Sequence, residues 1–270
     1  MSVEKRIGET TGTTMPDARP DAGYEPAAAG LTHRYRRRLR NVIAGYPRAY
    51  LALARRSGRI GVLDRSTELV IEGFPRCANS FAEAAFRLAQ PRQVRLAHHL
   101  HAPAHVQAAV AAGVPTLVLI RQPEQAIASL IVRNPETYRP DDCFEEYIAF
   151  YRKIRACAHG YVVADFAQVT HDFGAVIGRV NARFATRFNV FEHTAENVER
   201  AYRLVDDIAL ERIGRITPYS ALHDEAFKRR LKTLQASVAA EIAQPRYAAL
   251  REQASAIYDD FAQNVTDNSW

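Results

Sequence analysis

The chain has 270 residues, 24% of them charged and 47% hydrophobic, with 36 Lys and Arg against 30 Asp and Glu for a net charge of +6. That length is enough to bury a sizeable core in one large domain or two small ones. Residues 31–60 hold nine Arg and no acidic residue, leaving 27 basic against 30 acidic residues in the other 240, so a uniformly basic nucleic-acid binder is excluded.

Three cysteines, Cys77, Cys143 and Cys157, are too few for a disulfide framework and fit a reducing compartment. No apolar run approaches the roughly 20 residues of a membrane span. The first 30 residues, rich in Gly, Thr, Pro, Asp and Ala, contain no apolar signal core and read as a disordered leader. The expectation is a soluble, cytoplasmic protein.

A basic amphipathic helix is expected within 31–60. Leu39, Val42, Ile43, Tyr46, Tyr50, Leu51 and Leu53 recur at near-helical spacing, the Arg residues take the other face, and Pro47 kinks or splits the helix. Residues 61–270 then read as one α/β domain with a helical C-terminal part. Strands are expected at 67–72, 93–96, 116–120 and 161–164. The run Thr116-Leu117-Val118-Leu119-Ile120 has the continuous apolar character of a strand covered on both faces. Helices are expected at 79–88, 103–112, 123–133, 142–157 and 173–186. After Glu192 the chain reads as all helical, at about 195–213, 223–242 and 246–264. Such alternation predicts a parallel sheet flanked by helices.

The loop after the first strand reads Gly73-Phe74-Pro75-Arg76-Cys77-Ala78-Asn79-Ser80. A strand-to-helix loop can aim backbone N–H groups and a helix N-terminus at a phosphate. Against the phosphate-loop template G-x-x-x-x-G-K-[ST], Gly73 and Ser80 match, Ala78 replaces the second Gly, and Asn79 replaces the Lys. Arg76 supplies a cation instead, so a compact dianion fits better than ATP with Mg²⁺. A thiolate phosphatase is excluded, because the sixth residue after Cys77 is Glu83 rather than Arg. The third strand ends in Arg121-Gln122-Pro123, followed by a helix containing Ser129. A guanidinium there attracts an anion and repels a metal. Together the two junctions predict two anion sites at the C-terminal ends of parallel strands, where open α/β sheets bind ligands.

These two segments resemble the sulfotransferases that use 3′-phosphoadenosine 5′-phosphosulfate. Pro75-Arg76-Cys77-Ala78-Asn79-Ser80 is similar to their P-[KR]-S-G-[TN]-[TS] motif, and Arg121-Gln122-Pro123 to Ser129 to their R-x-P-x-x-x-x-x-S motif. The resemblance covers roughly residues 66–190. It implies a fold like that of P-loop nucleotide kinases, with Arg76, Cys77, Ala78, Asn79, Ser80 and Phe81 around the 5′-phosphosulfate and Arg121 and Ser129 on the 3′-phosphate. It implies no metal. The late R-K-G-x-x-G motif of cytosolic members is absent, which keeps a non-catalytic nucleotide-binding relative as an alternative beside a nucleotide kinase.

The resemblance also implies a catalytic His after the second strand, where this chain reads Ala97-His98-His99-Leu100-His101, with His105 beyond. The family pattern K-T-H-L aligns with Ala97-His98-His99-Leu100 and points to His99, with Arg76 assisting the leaving group. An imidazole suits the deprotonation of a hydroxyl near neutral pH. His98, His101, Glu72 and Glu83 remain alternatives for the base. His101 and His105, at i and i+4, have helical metal-ligand spacing, but no Cys or carboxylate completes an obvious set.

The expected partner is a hydroxyl or amine acceptor: a small metabolite, a glycan or a lipid-linked sugar. Residues 31–60 could bring the protein to an acidic acceptor or an anionic membrane. If they do, the protein floats with anionic but not neutral liposomes and added salt releases it; flotation indifferent to lipid charge and salt discards the membrane contact.

Overall fold

The computed structural model describes Tyr24 and residues 46–267 apart from 215, 217, 219 and 221. The expected leader, Tyr24 excepted, and the first half of the expected basic helix lie outside these residues. Tyr24 is buried: its N–H donates to Ser237 Oγ (2.6 Å) and its hydroxyl to the Tyr138 carbonyl (2.8 Å), so the expectation of disorder fails at this position. The described part of the basic segment forms α1, Pro47–Arg56. Tyr46 is extended and Pro47 sits in the first turn, so the proline starts this helix rather than kinking it. Arg48, Arg55 and Arg56 are exposed on α1, while Tyr50, Leu51 and Ala54 are buried.

Four strands follow, β1 (Leu69–Gly73), β2 (Leu96–His98), β3 (Thr116–Ile120) and β4 (Val162–Asp165), paired in parallel in the order β2-β1-β3-β4. The α/β reading with a parallel sheet flanked by helices holds. β2 lies about three residues later than expected. Glu68 N–H bonds the Arg95 carbonyl just before the strand, and the ladder starts at Leu69 opposite Leu96.

The crossovers carry α2 (Asn79–Ala89), α3 (Pro103–Ala111), α4 (Pro123–Arg133) and α5 (Pro140–Arg155). After β4 come α6 (Phe166–His171), which the apolar pattern missed, and α7 (Phe173–Phe184). Asp165 and Gln168 close a reciprocal capping box on α6, a signal the sequence does carry. The C-terminal helices are α8 (Ala195–Ile213), α9 (Glu225–Ile242) and α10 (Ala248–Asp267). α8 packs on α2, α9 on α4, and α10 on α5 and β4.

Both faces of the sheet are covered. Side chains alternate along a strand, and Leu69 and Ile71 join the large core while Val70 joins a smaller one with α1 and α3. Gly73 ends β1 against its neighbour: a Cβ there would lie 2.4 Å from the Leu119 carbonyl oxygen. The close approach brings the C-terminal ends of β1 and β3 together.

Glu72, on the central strand, is fully buried. It accepts from Leu100 N–H (2.7 Å), His101 N–H (3.1 Å) and His105 Nδ1 (2.8 Å). Burial works to raise its pKa, but the bond from His105 and the amide of Leu100 outweigh it and bring it down to about 2. Between about 2 and its ordinary 4.5 the unfolded chain binds the extra proton, so this carboxylate's stabilisation is present above 4.5 and lost as pH falls toward 2. Glu72→Gln replaces an acceptor by an amide that opposes these donors, and a loss of about 2 kcal/mol is expected. Urea unfolding should show the lower stability and a flatter acid limb; an unchanged midpoint would remove Glu72 from this role.

Candidate anion-binding cleft

The β1–α2 loop turns through two left-handed residues, Arg76 (φ 72°) and Ala78 (φ 69°). Ala78 is the cap of α2 and contributes no side-chain hydrogen bond. Among the described residues, the backbone N–H groups from Cys77 to Phe81 make no hydrogen bond, whereas Ala82 N–H closes the first helical turn on Ala78. A run of such amides at a helix N-terminus is an anion cradle.

The second junction closes on the same loop. Arg76 Nε donates to Ser129 Oγ (3.0 Å), and Arg121 Nη1 donates to the Arg76 carbonyl (3.1 Å). The two strand ends that the sequence placed about 50 residues apart therefore form one wall. The Arg121 guanidinium also stacks on the Phe166 ring at 3.9 Å, a contact worth about 1 kcal/mol that orients the side chain.

Two tyrosines of α5 brace this wall. The Tyr151 hydroxyl donates to the Leu119 carbonyl (2.7 Å) and accepts from Phe74 N–H (3.3 Å). The Tyr147 hydroxyl donates to the Arg121 carbonyl (2.8 Å). Sequence reasoning missed both tyrosines and Phe166. Tyr147 and Tyr151 share a helix face at i and i+4, which reads only as core.

Not every predicted residue offers its side chain. Cys77 is fully buried, 3.6 Å from the Tyr151 hydroxyl, and burial pushes its thiol up to about 12, so it contributes backbone and not a thiolate. Asn79 is buried with Nδ2 donating to the Phe74 carbonyl (3.0 Å), so it ties the loop to itself. Phe81 packs among Phe191, His193 and Tyr202. For these three, the peptide N–H is left without a hydrogen bond among the described residues.

The β2–α3 loop carries the histidines and two more left-handed residues, His99 (φ 61°) and His101 (φ 49°). His99 Nε2 lies 3.2 Å from Ser80 Oγ. His101 Nδ1 donates to the Gly73 carbonyl (2.8 Å). His105 is fully buried, its Nδ1 on Glu72 and its Nε2 accepting from Leu63 N–H (3.0 Å), so both of its ring nitrogens are taken up by structural bonds. Glu72, surrounded by donors and without solvent access, is likewise no candidate base.

Glu83, buried on α2, meets His98 Nε2 and His99 Nδ1, each at 3.3 Å. Its Oε1 also accepts from Arg87 Nε and Arg212 Nη2, both at 3.1 Å. Glu83, His98 and His99 bring one ligand atom each within 4.8 Å of the others, close enough to hold a metal. The two guanidiniums on the carboxylate oppose a cation there.

The cradle, Arg121, Ser129 and His99 line a cleft of about 2240 Å³ between the strand ends and helices α8 and α9. A second cavity of about 900 Å³ meets it at Pro75, His99, His101, Leu130, Tyr138 and Arg212. No protein-family model matches the sequence, and no curated protein is significantly similar to it.

Ala78 holds a conformation that costs a residue with a Cβ about 1 kcal/mol. Ala78→Gly should raise stability by roughly that amount, as glycine adopts the turn without the penalty. Thermal unfolding checks this; a destabilised variant would show that the turn is not under strain.

Proposed function

We propose that the chain is a sulfotransferase that moves the sulfuryl group of 3′-phosphoadenosine 5′-phosphosulfate to a hydroxyl or amine acceptor, on a sheet of the P-loop nucleotide-kinase type. The observation that carries this reading is the junction of Arg76, Arg121 and Ser129 around a loop of unbonded amides. A ligand with two separate anionic groups answers that arrangement. Arg121 stands where an Mg²⁺-dependent nucleotidase would carry an acidic residue, which speaks against ATP hydrolysis.

The donor supplies an activated sulfuryl group with a phosphate as leaving group. Arg76, the Ser80 hydroxyl and the amides from Cys77 to Phe81 face the charge that builds on the sulfuryl oxygens and the departing phosphate. Arg121 and Ser129 take the 3′-phosphate. His99 takes the acceptor proton as the new O–S bond forms and the S–O bond to phosphate breaks. The smaller cavity, walled by Tyr50, Phe74 and Phe150 and open to the cleft at His99, suits the acceptor. The acceptor class expected from the sequence, a metabolite, glycan or lipid-linked sugar, stays part of this proposal.

Calorimetry tests the nucleotide. The protein should bind 3′-phosphoadenosine 5′-phosphate, and Arg121→Ala should weaken it at least about tenfold while affecting a nucleotide without the 3′-phosphate much less. Tight binding of ATP with Mg²⁺ and none of the bisphosphate would overturn the reading. His99→Ala should lower sulfuryl transfer by about 10²–10⁴-fold; unchanged turnover would move the base to another residue.

A further inference from the structure

The protons on the two adjacent imidazoles follow from their partners. The buried Glu83 carboxylate can only accept when ionised. Burial works to raise its pKa, but the bond from His99, both imidazoles and Arg212 outweigh this and hold it well below the usual carboxylate range. A bare ring nitrogen facing it is repelled, which favours hydrogen on Nε2 of His98, 3.3 Å from Oε1, and on Nδ1 of His99, 3.3 Å from Oε2 and nearer still to His98.

The two Nδ1 atoms lie 2.7 Å apart, so one donates and the other accepts. The His99 proton is already placed on Nδ1. His98 Nδ1 is then the acceptor, and His98 is neutral. Burial favours the same state, lowering the His98 pKa to about 4 against the pull of Glu83. With Nδ1 protonated, neutral His99 keeps its lone pair on Nε2, and Ser80 Oγ at 3.2 Å donates to it. The reverse assignment sets bare nitrogens against both carboxylate oxygens. Arg87 Nη2 could donate to a bare His98 Nε2, but at 3.5 Å that bond is weak against two lone pairs set on an ionised carboxylate.

We infer that Glu83 is a positioning residue that, together with His98, locks His99 in the tautomer whose Nε2 lone pair lies on the cleft side, held by Ser80 Oγ until an acceptor hydroxyl takes its place. This rests on the reading of His99 as the base. A base presented with the wrong nitrogen bare would donate to the acceptor hydroxyl rather than accept from it. Glu83 sits on α2 one turn after Ser80, so one helix carries both the cradle's hydroxyl and the group that orients the base. Arg212, at the end of α8, ties the cleft wall to the same carboxylate.

The test is ¹⁵N–¹H correlation of the imidazoles in the full chain at about pH 8, where an ordinary imidazole is neutral, with signals assigned from His98→Gln and His99→Gln. The expected result is a proton on Nδ1 of His99 and on Nε2 of His98. A proton on Nε2 of His99 overturns the inference, and this arm needs no folded Glu83 variant and no activity. In Glu83→Gln the His99 signal should leave the Nδ1-protonated form and kcat should fall about 10- to 100-fold, with donor KM changed less than about twofold. Unchanged tautomers and kcat in that variant also overturn it. The sulfotransferase reading fails differently, by loss of bisphosphate binding and transfer while the wild-type tautomers stay as expected.

Discussion

A carboxylate buried on the central strand sets the geometry of the site. Glu72 has no solvent access, and an ionised group so placed is tolerable only where donors replace water. The donors come from Leu100, His101 and His105, all in or just beyond the loop after β2. Satisfying Glu72 thus pins that loop against the end of β1. His99 lies immediately before these donors, in a left-handed conformation that turns its ring toward Ser80. One buried charge in this way brings the β2 loop beside the β1 loop.

The second constraint is the pairing of β1 with β3. Parallel neighbours end on the same side, so their C-terminal loops must meet. Gly73 permits the close approach, and Tyr147 and Tyr151 take up carbonyl groups of Arg121 and Leu119 at the end of β3. Arg76, Ala78, His99 and His101 account for four of the five non-glycine left-handed residues among those described, and all four lie in these two loops. Such conformations persist where surrounding bonds over-determine them, and they gather at binding sites. Here the bonds are identifiable: Arg121 on the Arg76 carbonyl, Glu72 on the His101 amide, and Gly73 on the His101 ring.

The sheet was legible because its strands are short apolar runs between Gly, Pro and helical periods; β3 matched the expected residues from Thr116 to Ile120. β2 was read early because Gln93–Leu96 carries the apolar residues, while the strand itself ends in His98. Arg76, Ser80, Arg121, Ser129 and His99 were legible as candidates, since the first and third lie at strand-to-helix junctions, the two serines on the helices that follow and His99 in the loop after β2. The roles of Cys77, Asn79 and Phe81 were not. A motif shows which residues occupy a loop but not which way each side chain turns, and these three turn inward. Glu83 was legible only as a spare carboxylate. Its role depends on β2 bringing His98 within reach of α2, a tertiary contact without a local signature.

The same cluster resolves an electrostatic conflict. An uncompensated carboxylate one turn along α2 from the amide cradle would repel any anion there, by about 1 kcal/mol at 4 Å in water and several times more at the lower effective dielectric near a protein surface. Glu83 cannot be removed if it holds the imidazoles. Arg87 and Arg212 both donate to its Oε1, so the acid reaches the cleft as part of a compensated group. Arg76 Nε donates to Ser129 Oγ, and Arg121 donates to the Arg76 carbonyl and to Gln125 Oε1. Enclosed by Arg87, Arg212, His98 and His99, the acidic residue is not presented bare beside the loop amides.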